Sequence, residues 1–444
     1  MRGRAALIAV LLALGVGTAT RGPAEARGCA ITPYQLLHQD ILIESDLWRS
    51  TPEILSASYG FEGTAGVPSG KANVLAAGGT WEDIPLPDPP YRALTSAPTP
   101  ANVALTYGHP AFHLDAMPIV FSWPVLPSTV SPRHFRITLN TGQIVMPTHA
   151  SIFPNVEYNE RNTVVVFGEF GNRLRPGEPG AIYIVKTEIV PDAAPLTLVG
   201  PAGPVSAVGL QKSSGHPYVE GGGPTLVGAK LSHLSTAGEG APRFVAGQLP
   251  NDGVALYGAS ARYRLRVLTT GGFSPDGVAS ALPTDFEKFF RLHAADRGVT
   301  VLLTSTGVDY ALAGGTVRIL GLADLGRSNV DAEGNVVNPY DAAYVEDHDN
   351  YIDIILSGDE AAARQITAVE IPAGGGYLPF YNPGGPGNAP TPGVAYTAAG
   401  PAHLEPVVMA LDDPMTVTYV HPVLFGDLPS CLPGPERTGE SEAD

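Results

Sequence analysis

The chain is 444 residues long, carries 26 Lys and Arg against 43 Asp and Glu, and has a formal charge of −17 with only two cysteines. That length suits two to four domains, and an apolar content of 44% excludes wholesale disorder. The charge excludes nucleic acid or anionic lipid as the general partner, because both require a positive field; two cysteines exclude a disulfide scaffold or a cysteine-rich metal site.

Residues 1–26 read as a secretory signal peptide. Met1-Arg2-Gly3-Arg4 gives a basic start, Ala5 to Val16 an apolar core, and Ala24-Glu25-Ala26 a small-x-small cleavage site. The core is shorter than the roughly 20 residues that span a bilayer, and no later run is long and apolar enough, so no transmembrane segment is expected. The absence of an Arg-Arg pair favours the general secretory route. The protein is therefore expected to be secreted, or periplasmic and part of the cell envelope. Cleavage would remove Arg2, Arg4, Arg21 and Glu25, taking the charge from −17 to −19. Cys29 would then lie at the new N-terminus and Cys431 near the C-terminus. In an oxidising compartment these two are expected to pair, with an upper chain-entropy gain of about 5 kcal/mol for so long a loop.

Residues 27–112 form an N-terminal β-rich region and a Pro-rich linker, marked by Pro85-Leu-Pro-Asp-Pro-Pro90 and Ser96-Ala-Pro-Thr-Pro100. His109 and His113 have the spacing of a metal-binding pair, but Pro110 prevents an ordinary helix interior from presenting both rings together. Residues 113–190 carry Pro118-Ile-Val-Phe-Ser-Trp-Pro-Val-Leu-Pro-Ser-Thr-Val130 and His134-Phe-Arg-Ile-Thr-Leu139. Thr163-Val-Val-Val-Phe167, Leu174-Arg-Pro-Gly177 and Ile182-Tyr-Ile-Val185 follow. This succession resembles a bacterial Ig-like domain of the type found in surface-layer and other secreted proteins. The resemblance implies a β-sandwich that acts as a spacer or presentation module and has no chemistry of its own.

Residues 191–250 are a loop-rich middle region. Gly223 to Lys230 begins like a phosphate-binding loop, but Ala229 displaces the lysine by one position and no Ser or Thr follows it. Residues 251–431 read as a larger β-rich domain. In Tyr263-Arg-Leu-Arg-Val-Leu268 the residues alternate, with Tyr263, Leu265 and Val267 on one side and Arg264 and Arg266 on the other. Met415-Thr-Val-Thr-Tyr-Val420 is a further strand. Two helices are expected. One starts at the capping box Thr284-Asp-Phe-Glu287, with Phe286, Phe289, Phe290 and His293 at helical spacing up to Gly298; a shorter one follows Ser357-Gly-Asp-Glu360. Residues 432–444 are expected to be a disordered acidic tail. The fold class is mostly β: a multidomain β-sandwich protein with one or two short helices.

Two acidic stretches within the last domain carry the candidate chemistry. Asn329, Asp331, Glu333 and Asn335 place oxygen side chains at positions 1, 3, 5 and 7 of an EF-hand-like loop with Gly334 at position 6, the spacing a hard cation needs. Tyr340 stands at position 12 instead of Glu, and Asp341 follows it; the alternative is a plain β-hairpin turn. Downstream, Glu346-Asp347-His348-Asp349-Asn350-Tyr351-Ile352-Asp353 crowds five ionisable groups, and a strand here would put Asp347, Asp349, Tyr351 and Asp353 on one face. Crowded carboxylates repel unless a cation or an arginine neutralises them. Asn329, Asp331, Glu333, Asn335, Asp341, Asp347, Asp349 and Asp353 are therefore the candidate metal ligands, with Ca²⁺ as the ion. Common enzyme signatures such as G-x-S-x-G and H-E-x-x-H are absent. The leading expectation is an exported, calcium-binding envelope or extracellular protein that binds or presents to a polysaccharide or protein surface. The alternative is a secreted carbohydrate-active hydrolase or lyase using Asp347, Asp349 or Asp353 as its acid–base pair.

Overall fold

The computed structural model describes residues 32–421 apart from 58–60, 84–92, 173, 218, 220, 236–239, 243–252, 273, 276, 279, 326–328, 331–335, 339–349 and 384–396. The architecture is mostly β, built from several sheets with a few short helices. Among the described residues no helix is long and apolar enough to cross a membrane.

After β1 (Ile41–Asp46), which lies in neither of its sheets, a first sandwich forms from β2 (Ile54–Ala57), β3 (Phe61–Ala65), β4 (Leu114–Phe121), β5 (Phe135–Leu139), β6 (Ile144–Val145), β7 (His149–Ser151), β8 (Thr163–Gly168), β9 (Ile184–Ile189) and β10 (Gln211–Ser213). One sheet has the order β2-β4-β8-β7, with β3 also on β4; the other has the order β10-β9-β5-β6. Alternation decides which side chains meet. Met117, Ile119 and Phe121 of β4 and Val164 and Val166 of β8 face Phe135, Ile137, Ile184 and Ile189 across a common core. Strands from before residue 113 and after residue 190 therefore complete the sandwich around residues 113–190.

The second sandwich contains β11 (Leu226–His233), β12 (Tyr263–Thr269), β13 (Arg291–Asp296), β14 (Val299–Leu303), β15 (Asp309–Leu312), β16 (Gly315–Ala323), β17 (Tyr351–Gly358), β18 (Ile366–Ile371), β19 (His403–Pro406) and β20 (Val408–Met409). A six-stranded sheet, β15-β16-β17-β12-β11-β20, packs on a four-stranded one, β14-β13-β18-β19. Between them lies an apolar core containing Leu265, Val267, Phe286, Phe289, Phe290, Leu292 and Ile354.

The helix expected from Phe286 to Gly298 is a single turn, Phe286–Phe289, with Asp285 instead of Thr284 at the N-cap position and no side-chain cap bond. From Arg291 the chain runs as β13 instead. Leu292 and Ala294 face inward while both edges of the strand pair with neighbours, so sheet pairing overrides the helical spacing. The second expected helix is present as one turn, Glu360–Ala363.

The two ends of the described stretch meet. β1 pairs antiparallel with β21 (Thr416–Val420), with Ile41 opposite Val420 and Asp46 opposite Thr416. Leu47 N–H donates to the Met415 carbonyl at 2.8 Å. This ribbon lies where the two sandwiches join, and its last residue, Asp46, enters the site described next.

Candidate functional site

Strand β12 is buried on both faces. Tyr263, Leu265 and Val267 enter the apolar core, as their alternation predicts. The opposite face, Arg264 and Arg266, meets the first sandwich and not water. Cross-strand register puts Lys230 of β11 beside Arg266, and Asp353 of β17 on the other side of Arg266. Three charged residues thus form a row across the sheet. Asp324, at the end of β16, bends into this row with φ 60°, a left-handed conformation that Asp tolerates better than most residues.

The first sandwich and β1 supply the rest. Asn155 to Thr163 contributes Glu157, Glu160, Arg161 and Asn162, all at most 1% exposed, and β1 contributes Asp46 at 0%. Arg266 is the hub. Its Nε and Nη2 donate to Asp353 at 2.7 and 3.0 Å, Nη2 also to Asp324 at 2.7 Å, and Nη1 faces Glu160 at 2.6 Å and Asp46 at 3.4 Å. Each of the three guanidinium nitrogens therefore donates to a carboxylate, and Glu160 adds an ion pair. Lys230 is matched equally well. Its ammonium pairs with Asp46 and donates to the Pro414 and Met415 carbonyls at 3.1 Å each. Arg264 Nη2 lies 3.7 Å from Asp46.

Electrostatics follow from this geometry. Burial pushes the Asp46 carboxyl up, but Lys230, Arg264 and Arg266 together outweigh it and hold the group at about 2. Burial depresses the Lys230 ammonium, with Asp46 opposing that effect. Around the charges runs a neutral seam. Asn155 Nδ2 and Thr163 Oγ1 donate to Asn350 Oδ1 at 2.9 and 3.1 Å, while Asn350 Nδ2 donates to the Thr269 carbonyl at 2.8 Å. Tyr351 OH reaches the Glu160 carbonyl at 3.2 Å. Trp48 is fully buried and lies so close to Gly228 that a Cβ there would sit 2.4 Å from its ring.

Glu157, Glu160 and Asp324 form a further arrangement inside the joint. Their carboxylate oxygens lie within 4.8 Å of one another, and all three residues are buried. Among the described residues the joint gathers five carboxylates, Asp46, Glu157, Glu160, Asp324 and Asp353, against four cations, Arg161, Lys230, Arg264 and Arg266. Three converging carboxylates are the donor type a hard divalent cation takes, and two of them, Glu160 and Asp324, are also paired with Arg266.

Of the residues expected from sequence to hold the ion, Asp353 has a described side chain, and its carboxylate is bound by Arg266. The arginine alternative therefore operates at this position. Tyr351 and Asp353 do share a sheet face, as expected for a strand. Asn329 lies in a short antiparallel hairpin, Asn329–Val330 with Val336–Asn338. Asp331, Glu333, Asn335, Asp341, Asp347, Asp349, Cys29 and Cys431 lie outside the described residues. His109 packs at a tilt against His149, with ring centroids 3.8 Å apart, and the His149 nitrogens contact Thr148 and the His109 and Pro110 carbonyls.

Glu157, Glu160 and Asp324 were not among the expected ligands. For Glu157 and Glu160 the signal was the charged run Val156-Glu-Tyr-Asn-Glu-Arg161 inside an otherwise β-rich, apolar stretch; Asp324 carried none. No protein-family model, curated protein or solved structure matches the chain, so its fold and site are read from its own residues.

Proposed function

We propose that this chain is an exported, non-catalytic protein of the cell envelope or extracellular space that presents a binding surface to a polysaccharide or protein. In this reading the first sandwich is the Ig-like presentation module and the binding surface involves the second. The observation that carries the reading is the joint itself. Arg266 and Lys230 of one sandwich are saturated by groups from both, which suits a rigid two-module presenter, and the charges lie away from any polymer a catalyst would need to reach. Retention of the intact chain on insoluble cell-wall polysaccharide or envelope material tests it. Release of reducing ends from a polysaccharide panel would replace this reading with a hydrolytic one.

Calcium belongs to the same reading, held by Glu157, Glu160 and Asp324. Saturating Ca²⁺ at 100 times Kd adds about 2.7 kcal/mol. We expect a chelator to lower the melting temperature by several degrees and added Ca²⁺ to restore it; Asp324→Asn and Glu157→Gln should abolish the response. A wild-type melt unmoved by chelation removes the ion.

The Cys29–Cys431 disulfide is supported by the chain ends. Asp40 and His421 are hydrogen-bonded through their backbones at 3.2 Å, so each cysteine begins about ten residues from a shared point. Export through an oxidising compartment should give a chain with no thiol reactive to Ellman's reagent until reduced. Two titratable thiols in the unfolded, unreduced protein would reject the pairing.

A further inference from the structure

A second feature of the junction lies apart from the ionic joint. A cleft of about 240 Å³ opens where β2 and β10 of the first sandwich face the ends of β11 and β12 of the second. Its first wall carries Ser56 and Ser213, and Ser214 pins the two strands together by donating to the Ala57 carbonyl at 2.8 Å. Across from it stand Thr225 and Thr270, joined by the Thr225 N–H donating to the Thr270 hydroxyl at 3.3 Å, together with the Asn382 amide.

The chemistry of this lining is selective. Among the described lining residues there is no carboxylate and no guanidinium, although the chain as a whole is strongly acidic. Lys212 is the single charged side chain. Part of the wall is bare backbone: a Cβ on Gly222 would sit 2.3 Å from the Pro217 carbonyl oxygen, and one on Gly223 would sit 2.5 Å from that of Ala398. Pro118 and Pro217 add aliphatic faces. Hydroxyls and an amide that both donate and accept, beside C–H surfaces, complement a ring that carries alternating hydroxyls and C–H faces. The volume lies below the range of about 300–1,000 Å³ typical of drug-sized ligands, so one ring fits and an extended chain does not.

We infer that this interdomain cleft binds a single saccharide unit, held by hydrogen bonds from Ser56, Ser213, Thr225, Thr270 and Asn382. The inference rests on the polysaccharide-binding reading above and gives it a location. The affinity of one small polar ring in so open a site belongs in the millimolar range.

Ligand-observed saturation-transfer NMR on the intact chain, with the methyl glycosides of glucose, N-acetylglucosamine and glucuronate, tests it. Transfer to at least one glycoside is expected. Ser213→Trp, at an exposed position on the rim, should abolish it by filling the mouth. Asn382→Ala should weaken it about tenfold, the worth of one well-made hydrogen bond. Both variants should melt as the wild type does. No transfer to any of the three glycosides, or equal transfer to Ser213→Trp, overturns the inference. Polymer retention separates the two levels. If wild type and Ser213→Trp are retained equally on insoluble polysaccharide, the cleft is wrong and the presentation reading stands; if the wild type is not retained, the presentation reading itself fails.

Discussion

Replacing Arg266 by Met is expected to destabilise the protein by about 4 kcal/mol, more than any other single substitution in the joint. Removing one partner of a buried ion pair costs about 3–5 kcal/mol because the other charge stays buried without compensation. Here one guanidinium faces Asp353, Asp324, Glu160 and Asp46, so four carboxylates lose a partner together. Met fills similar volume, which limits the cavity contribution. For domains of this size the loss corresponds to a fall in melting temperature of roughly 10 °C. Because the joint couples two sandwiches with separate apolar cores, the variant should also show two resolved transitions where the wild type shows one. A double-mutant cycle sharpens the test. Asp353→Asn should cost less in the Arg266→Met background than in the wild type, since the charge it removes is by then unpaired. A loss under about 1 kcal/mol for Arg266→Met, or strict additivity with Asp353→Asn, would show that the row of charges does not act as a unit.

Much of the fold was legible because β-structure writes itself locally. The runs at 162–167, 181–190 and 263–268 became Thr163–Gly168, Ile184–Ile189 and Tyr263–Thr269. Their β-branched and aromatic residues and their alternation hold whatever lies opposite. The longest helix among the described residues, Pro100–Tyr107, also carried its own signals: Thr99 accepts from Asn102 N–H as N-cap, Pro100 opens the first turn, and Gly108 closes the helix in the left-handed region. Those signals stood inside a Pro-rich stretch that reads equally well as a linker. At Phe286 the opposite happened. Phe286, Phe289 and Phe290 do face the core, but the pairing of β13 with both neighbours converts the continuation into strand.

The site was legible only in part, for a different reason. The alternation of β12 placed Arg264 and Arg266 on the face opposite Leu265. Nothing within those six residues says whether that face meets water or a second sandwich. Glu157 and Glu160 stand more than 160 residues from Asp324, and β1 delivers Asp46 from the far end of the chain. Their convergence is a property of domain packing, which no spacing rule encodes. The requirement that crowded carboxylates be neutralised did hold at Asp353. Its neutralising cation was Arg266, 87 residues earlier.

Acid should open the joint in a defined window, and Lys230 should set its upper edge. The Asp46 carboxyl lies at about 2, against 3.8 for an ordinary aspartate, and it is fully buried. A depressed carboxyl contributes stability above its unfolded value and loses that stability as pH falls through its folded value. For Asp46 the contribution is complete above about pH 4, disappears between 4 and 2, and is on the order of a few kcal/mol. Burial alone would raise this carboxyl; the three neighbouring cations produce the depression, and Lys230 is in direct contact. Lys230→Met removes that cation and leaves burial opposed only by Arg264 and Arg266. Asp46 then moves back towards or above its ordinary value, so acid unfolding should begin at higher pH in the variant, by about one unit at the midpoint. The share of Lys230 itself has the opposite sense. Burial depresses its ammonium, so wild-type stability should gain as pH climbs towards the ordinary lysine range, and Lys230→Met should lack that gain. Urea midpoints measured from pH 2 to pH 10 on both proteins read the two effects separately. An acid limb that superimposes for wild type and Lys230→Met would mean that Asp46 does not depend on Lys230 for its charge, and that the ribbon of chain ends is held at the joint by packing alone.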